Sequence, residues 1–448
     1  MTRRALLVQP AFPIPPKSKN HKDFLPIGLL KLGAWYKSRG WDVKLVYGNT
    51  LELNFIPNHI LVTSLFTYWS EYVVDSARYY KGLFPKAKLY VGGIYASLLP
   101  DDCKKRTGAD EVQVGVHPQA EKYEADYSLL DEKLDYQILH TSRGCFRRCS
   151  FCYTWKIEPE FKGLCSIRDK IHKNRVVFYD NNLLYNPCVK DLLSEMAEMR
   201  VNGKPVHYES QSGFDGRLLV KDSEIALLLK AARFENPRIA WDHGLRDAPH
   251  IKKQIALLVH AGYKAKEIYV FMLYNWRMPF KELEQKRRLC WQWGVQIADC
   301  RFRPYTQLYD HFDSRVSQTS KDYFIHSRWT DAEVKSFRRN IRRQNICVRM
   351  GFSYYHPALE RKTHPDRQTA FELLGQPRAV VDATLDEVWH PESKHSSMRE
   401  MPTSKEAQTQ PSSGDMKYQL PMSAGSRPRK PLSSERIRLD SLQSHIPR

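Results

Sequence analysis

The stretch TSRGCFRRCSFCYT, residues 141–154, sets Cys145, Cys149 and Cys152 in a C-x3-C-x2-C array, with Phe151 directly before the last cysteine. Three thiolates on one tight loop can face a single inorganic centre, and short cysteine spacings of this kind hold iron–sulfur clusters. Three ligands on a four-iron cluster leave one iron open to bind and activate a substrate. The competing reading is a structural zinc site, which needs four tetrahedral ligands. Cys165 could supply a fourth, but it lies beyond an acidic and apolar stretch and not at a zinc-ribbon spacing.

Outward from this loop the chain alternates strands and helices. YQILHTSRG leads into the cysteines. RVVFYDNN, PVHYESQSGFDGRLL, PRIAWDHG, EIYVFMLYN and VQIADCRFRPY follow as apolar runs, with helical spacing between them. Six such units predict a partial (β/α)6 TIM-type barrel over residues 136–305, with functional groups collected at the carboxyl ends of the strands. Polar residues end these runs: Asp180, Asn181 and Asn182; Gln211, Asp215 and Arg217; Asp242; Asn275; Arg301 and Arg303. A buried polar group needs a partner, so the set predicts a lined pocket.

Upstream, residues 1–125 read as an N-terminal Rossmann-like parallel-sheet domain. Its strands are ALLVQP, WDVKLVYG, HILVTSLF and AKLYVGG, and its helices are FLPIGLLKLGAWYKSRG and WSEYVVDSARYYKGLFP. Gly92 and Gly93, straight after a buried strand, allow close backbone approach at the sheet edge where such folds bind ligands. The link between YGNT and HILVTSL is short and carries no helical pattern.

The cysteine motif, with its preceding RG and its aromatic, resembles the radical S-adenosylmethionine (SAM) superfamily. Pro26, Gly28 and GGIYASLLP (residues 92–100) resemble the cobalamin-binding-type domain that precedes the barrel in many of its members. The resemblance spans about residues 1–305 and implies a [4Fe–4S] cluster on Cys145, Cys149 and Cys152. It also implies SAM as cofactor and a reducing partner such as flavodoxin or ferredoxin. Phe151 and Tyr153 would border the adenine, and Asp180 and Asn181 would flank the SAM amino group. QSGFDGR, with Gln211, Asp215 and Arg217, matches a run after the third strand in one subgroup, where Arg217 would pair with the SAM carboxylate. Asp242 joins the expected cofactor-binding set.

The implied reaction is reductive cleavage of SAM to a 5′-deoxyadenosyl radical that abstracts hydrogen from an unactivated carbon. Two alternatives stand beside it. One is cobalamin-dependent methyl transfer, the less favoured because the D-x-H-x-x-G motif is absent. The other is a nucleic-acid-binding protein with a structural iron–sulfur or zinc site.

Nine cysteines in a 448-residue chain argue against a disulfide framework. Those outside the motif are scattered singly, so one cluster is expected. No run approaches the ~20 apolar residues of a membrane span, and the N-terminal apolar run is too short for a secretory signal; the expected location is the cytoplasm. The net charge of +20 favours an anionic or nucleotide-type substrate. Thr330-Asp-Ala-Glu333 is a capping box opening an arginine-rich helix. The basic segment 337–349 could touch a nucleic-acid backbone or coat the barrel's open side. Residues 306–390 are expected to form a helical basic extension, and 391–448 a disordered tail.

Overall fold

Strand β1 (Arg4–Gln9) is buried from its second residue to its last, as a strand covered on both faces must be. Helix α1 (Ile27–Lys37) follows, then β2 (Asp42–Tyr47), β3 (His59–Ser64), α2 (Ser70–Leu83) and β4 (Lys88–Gly93). Two short helices, α3 (Ile94–Leu98) and α4 (Pro100–Thr107), lead to β5 (Glu111–Val112). The five strands are parallel in the order β2-β1-β3-β4-β5. That order reverses between β1 and β3, the switch point beyond which open α/β sheets bind ligands. At the end of β4, Gly93 has φ +100° and a Cβ there would run into the Ser64 carbonyl. Only glycine lets the two strand ends meet so closely. The computed structural model describes residues 3–14, 24–51 and 53–351, all within one unit, Met1–His390.

The second half opens with β6 (Gln137–Leu139). The antiparallel pair β7 (Ser142–Arg143) and β8 (Lys162–Gly163) brackets the cysteine loop and the single turn α5 (Thr154–Ile157). Next come β9 (Arg175–Phe178), α6 (Val189–Glu198) and a small hairpin of β10 (Arg200–Val201) and β11 (Lys204–Pro205). The chain continues through β12 (His207–Ser210), α7 (Gly216–Lys221), α8 (Glu224–Ala231), β13 (Arg238–Ala240) and α9 (Ala248–His260). It closes with β14 (Tyr269–Tyr274), α10 (Phe280–Gln292) and β15 (Gln296–Arg301). The parallel ladders β6-β9-β12 and β13-β14-β15 are joined by parallel bridges at Tyr208–Phe234 and Phe214–Ile239. Six parallel strands thus stand in chain order, each where the apolar runs predict it. Phe178, Tyr208, Ile239, Val270, Met272 and Ile297 share one core with Leu193, Met196, Leu229, Leu258 and Leu283 from the helices.

Helix α11 (Asp331–Met350) begins with the predicted capping box. The Glu333 backbone N–H donates to Thr330 Oγ1 at 3.2 Å, and the Thr330 N–H to Glu333 Oε2 at 2.8 Å. Val334, Phe337 and Ile341 bury into the strand–helix core, so the helix coats the last strand. Asn345 completes the seal: its side chain accepts from the Ile297 N–H (2.9 Å) and donates to the Ile297 carbonyl (2.7 Å). An amide side chain thereby continues the hydrogen-bond ladder at the edge of β15.

One expectation is corrected. Cys165 is not a lone cysteine but is bonded to Cys188, with Cα atoms 5.1 Å apart. The Leu164 N–H donates to the Thr141 carbonyl at 2.8 Å, and Asn186 Nδ2 donates to the Leu164 carbonyl at 2.9 Å. These bonds carry the return strand of the loop to the start of α6, which juxtaposes the two cysteines. The end of the basic extension (352–390) and the expected tail (391–448) lie outside the described residues.

A small core welds the two halves. Ile27 and Leu30 of α1 pack with Tyr136, Ile138 and Val177, and each such side chain contributes about 1.5–3 kcal/mol on burial. Ser70 Oγ donates to the Leu308 carbonyl at 2.9 Å, and the Arg303 guanidinium lies 4.4 Å over the Tyr68 ring. Replacing Asn345 by Leu strips two backbone partners from β15, so stability should fall by about 1–3 kcal/mol. Denaturant unfolding against the parent chain measures it, and a loss below 0.5 kcal/mol, about the error of such a comparison, would show that water satisfies Ile297 instead.

Candidate active site at the cysteine loop

The cysteine loop is hung from one buried carboxylate. Asp180, just past β9, is fully buried and accepts from the Thr141 hydroxyl (2.6 Å), the Thr141 N–H (3.0 Å) and the Ser142 hydroxyl (2.7 Å). Burial raises its pKa, while these donors hold it down. Both oxygens are therefore committed to fixing where the loop leaves β6. Gly144 follows with φ +78°, and a Cβ there would run into the Glu160 carbonyl. The RG before Cys145 is thus a steric requirement of the turn.

Charged side chains lock the loop from the other side. Arg143 binds both Glu121 oxygens (2.9 and 3.1 Å) and Glu158 (3.2 Å). Glu158 also accepts from the Gly144 N–H at 2.7 Å and from Asn181 Nδ2 at 2.8 Å. Thr154 Oγ1 lies 3.4 Å from both Asn181 Oδ1 and Cys152 Sγ. Lys31 of α1 joins Glu121 at 3.0 Å. Although burial opposes ionisation of Glu121, Arg143 and Lys31 hold its carboxyl below the usual range. A continuous polar chain therefore runs from the first helix of the N-terminal sheet to the last cysteine of the loop.

Cys145, Cys149 and Cys152 are free and half-buried. Burial pushes the Cys149 thiol up, and Asp242 and the other two cysteines add to it; positive iron is what would favour the thiolates here. Asn182 Nδ2 reaches Cys145 Sγ at 3.8 Å, while its buried Oδ1 has no partner. Among the described residues no three His, Cys, Asp or Glu groups meet closely enough to hold a single metal ion. The donor set is nonetheless the one a cluster takes, three thiols on one loop with an orphaned amide oxygen beside them.

The remaining predicted residues separate by location. Asn181 and Gln211 line a large cavity. Asp215 caps α7 and holds Arg147 of the cysteine loop on one oxygen and Arg217 on the other, the latter at 2.8 Å. Arg217 is about half exposed (55%). Tyr153 packs on Tyr305 with centroids 4.6 Å apart, and Phe151 is half-buried. Asp242 is raised by burial, with Lys286 and His243 opposing. The buried Lys286 ammonium donates to the Trp241 and His243 carbonyls (2.7 and 3.0 Å), and burial brings it down to about 8. Arg301 and Arg303 both bind Asp310, at 2.6 and 2.7 Å, and Asn275 bonds the Phe324 carbonyl and the His326 N–H.

The cavity, about 710 Å³, runs along the α1-covered face of the N-terminal sheet, from His59 at the start of β3 to Ser64 and Gly93 at strand ends, and on to the carboxyl ends of β6, β9 and β12. Gly28, Ser64, Gly93 and His117 line it from the N-terminal side; His140, Tyr179, Asn181 and Gln211 line it from the other. Lys31, Glu121, Arg143, Glu158 and His140 carry no spacing signal in the sequence. Only the position of Arg143 within the RG marks any of them beforehand.

Replacing Asp180 by Ala leaves three donors unpaired and should cost about 3 kcal/mol or more. The loop should loosen with it, read as a lower melting temperature and faster alkylation of Cys145, Cys149 and Cys152. Burial also pushes the His140 imidazole well below its usual 6.5, helped by Arg143 and Lys31. The unfolded chain then binds a proton the folded chain refuses, so stability is full above about pH 6.5 and falls below it. His59 and His326 are shifted the same way. Between pH 7.5 and 5.5 the melting temperature should drop, and His140→Phe should drop less; equal slopes would contradict the assignment. No family model and no curated protein matches this chain.

Proposed function

We propose that the protein is a radical SAM enzyme carrying one [4Fe–4S] cluster on Cys145, Cys149 and Cys152. The observation that carries this reading is the set of three free thiols on one anchored loop at the end of the first of six sequential parallel strands. That strand order is also what a partial (β/α)6 barrel has, and we read the second half as one, with the N-terminal sheet as its companion domain. When bound, the cluster and SAM together supply a 5′-deoxyadenosyl radical, a chemistry that belongs to the cofactors.

The chain's own residues do the rest. Asp180 fixes the loop's exit from β6, and Glu158 and Arg143 hold its return. Asn182 offers an unpaired carbonyl beside Cys145, suited to a polar group of a bound cofactor. Asp215 is committed to Arg147 and Arg217 and acts by positioning the loop. Of the two arginines, Arg217 is the one left exposed enough to meet a carboxylate in fork geometry. The apolar rings that wall the cavity limit the water around a reactive intermediate. Reduction calls for an outside donor such as flavodoxin or ferredoxin.

A corrinoid fits less well. His59 Nδ1 is bound by the Tyr36 hydroxyl at 2.9 Å, and His117 Nδ1 accepts from the Ala120 N–H at 3.2 Å. Neither stands in a D-x-H-x-x-G context.

Anaerobic reconstitution with iron and sulfide, then reduction with SAM, should yield 5′-deoxyadenosine, and Cys149→Ala should reduce it to background. A colourless zinc protein, or a stable cluster that never cleaves SAM, would refute the reading.

A further inference from the structure

We propose that the cavity between the N-terminal sheet and the strand ends of the second half binds an uncharged, largely apolar molecule carrying a planar ring, and that this molecule is the substrate. The binding claim rests on the lining alone, and its reading as substrate rests on the radical SAM proposal.

Each charged group of the lining other than the histidines already has a partner of opposite sign, Glu111 through Lys88 outside the lining. Its two non-histidine cations, Lys31 and Arg143, are both bound to Glu121, and Arg143 also holds Glu158. Glu111 pairs with Lys88 at 3.5 Å. An anionic substrate, the class the net charge of the chain favours, would have to break one of these bonds to find a cation. A new anion would compete for Lys31 or Arg143 with the carboxylate already held there, and would stand beside the like charge of Glu121 or Glu158.

The hydroxyls and amides are engaged as well. Ser64 Oγ donates to the Gly92 carbonyl (2.7 Å) and accepts from the Ala96 N–H (3.1 Å). Ser97 Oγ does the same between Gly93 (2.7 Å) and Gly115 (2.9 Å). Gln113 binds the Val114 carbonyl at 2.8 Å, and Asn181 is held by Glu158 and Thr154. Among the described residues, the lining leaves the side chains of Thr63, His140 and Ser212 and the Trp35 indole N–H without hydrogen bonds. A polyhydroxylated ligand would find few partners, while a single hydroxyl or carbonyl could meet the neutral imidazole of His140.

What remains is apolar surface and rings. Phe24, Trp35, Tyr36, Phe66, Tyr90 and Tyr179 wall the space, which suits a planar ring system stacked or met edge-on. Its volume of about 710 Å³ falls in the range of roughly 300–1,000 Å³ that takes one drug-sized ligand. Asn181, Gln211 and Ser212 form the wall nearest the ends of β9 and β12, and His140 and Arg143 line it from the exit of β6, the strand beside β9 that carries the cysteine loop. Gly28 offers a direct handle, because a Cβ built there meets nothing within 4 Å.

The test uses the full chain as purified, without cluster or SAM, and Nile red, an uncharged polycyclic probe. Saturable one-to-one binding with a blue-shifted emission is expected. Gly28→Phe should weaken it about tenfold or more, a difference of about 1.4 kcal/mol. Gly92→Leu is the second blocking variant, since its nearest neighbour is Gln113 Cβ at 3.5 Å. Circular dichroism and melting select the variants that fold. Millimolar adenosine monophosphate should not displace the probe. Binding that does not saturate, that survives in both folded variants, or that yields to the nucleotide would overturn the proposal. So would displacement of the probe by one equivalent of hydroxocobalamin. None of these outcomes depends on SAM cleavage, so failure here and failure of the radical SAM reading are separate results.

Discussion

The contact on which the site depends is the carboxylate of Asp180 against Thr141 and Ser142. It lies 39 residues from Thr141 in sequence, yet it joins the end of one strand to the exit of its neighbour. Ring contacts hold parts of the loop, Phe146 on Tyr185 and Tyr153 on Tyr305, but they do not fix its backbone where it leaves β6. Its backbone polar groups must be answered somewhere, and an ionised oxygen makes stronger hydrogen bonds than a neutral one. The cost of burying that charge is met by three donors at once, and removing any part of the set leaves the remainder unsatisfied.

From that anchor the second constraint follows. The return side of the loop is held by Glu158 and Arg143, and Arg143 is shared with Glu121 and Lys31 from the N-terminal half. The N-terminal sheet therefore does more than cover the strand ends. It supplies half of the ion network that sets the loop, while the small core of Ile27, Leu30, Tyr136, Ile138 and Val177 keeps the halves in register. Between the α1-covered face of the N-terminal sheet and the strand ends of the second half, the connections leave a cavity unfilled. The cavity is a consequence of topology, and its lining is a consequence of which residues end the strands.

Much of this was legible in the sequence because it is local. The C-x3-C-x2-C spacing, the period of each apolar run and the Thr330–Glu333 box all act within a few residues, and the corresponding strands and helix cap are present. What could not be read depends on distant contacts. Asp180 looked like one more polar strand end and proved to be an anchor for Thr141 and Ser142. Asp215 and Arg217, adjacent in one motif, turn out to bind each other and Arg147. Cys165 and Cys188, each isolated in sequence, meet because a hairpin returns beside α6. Nothing in spacing or composition announces such a meeting.

Net charge is a global quantity, and the cavity is a local one. A surplus of twenty positive charges describes the field at a distance, which governs encounter with charged partners. It says little about an enclosed site, where each charge is judged against its immediate neighbours in a low dielectric. In the cavity each carboxylate is matched by a cation within 3.5 Å, and the Ser64 and Ser97 hydroxyls answer backbone groups. A polar ligand there would compete with bonds already made, whereas an apolar one would displace only water that the rings hold poorly. On the proposal made above, the cavity would select by the absence of open partners, whatever the charge of the basic exterior.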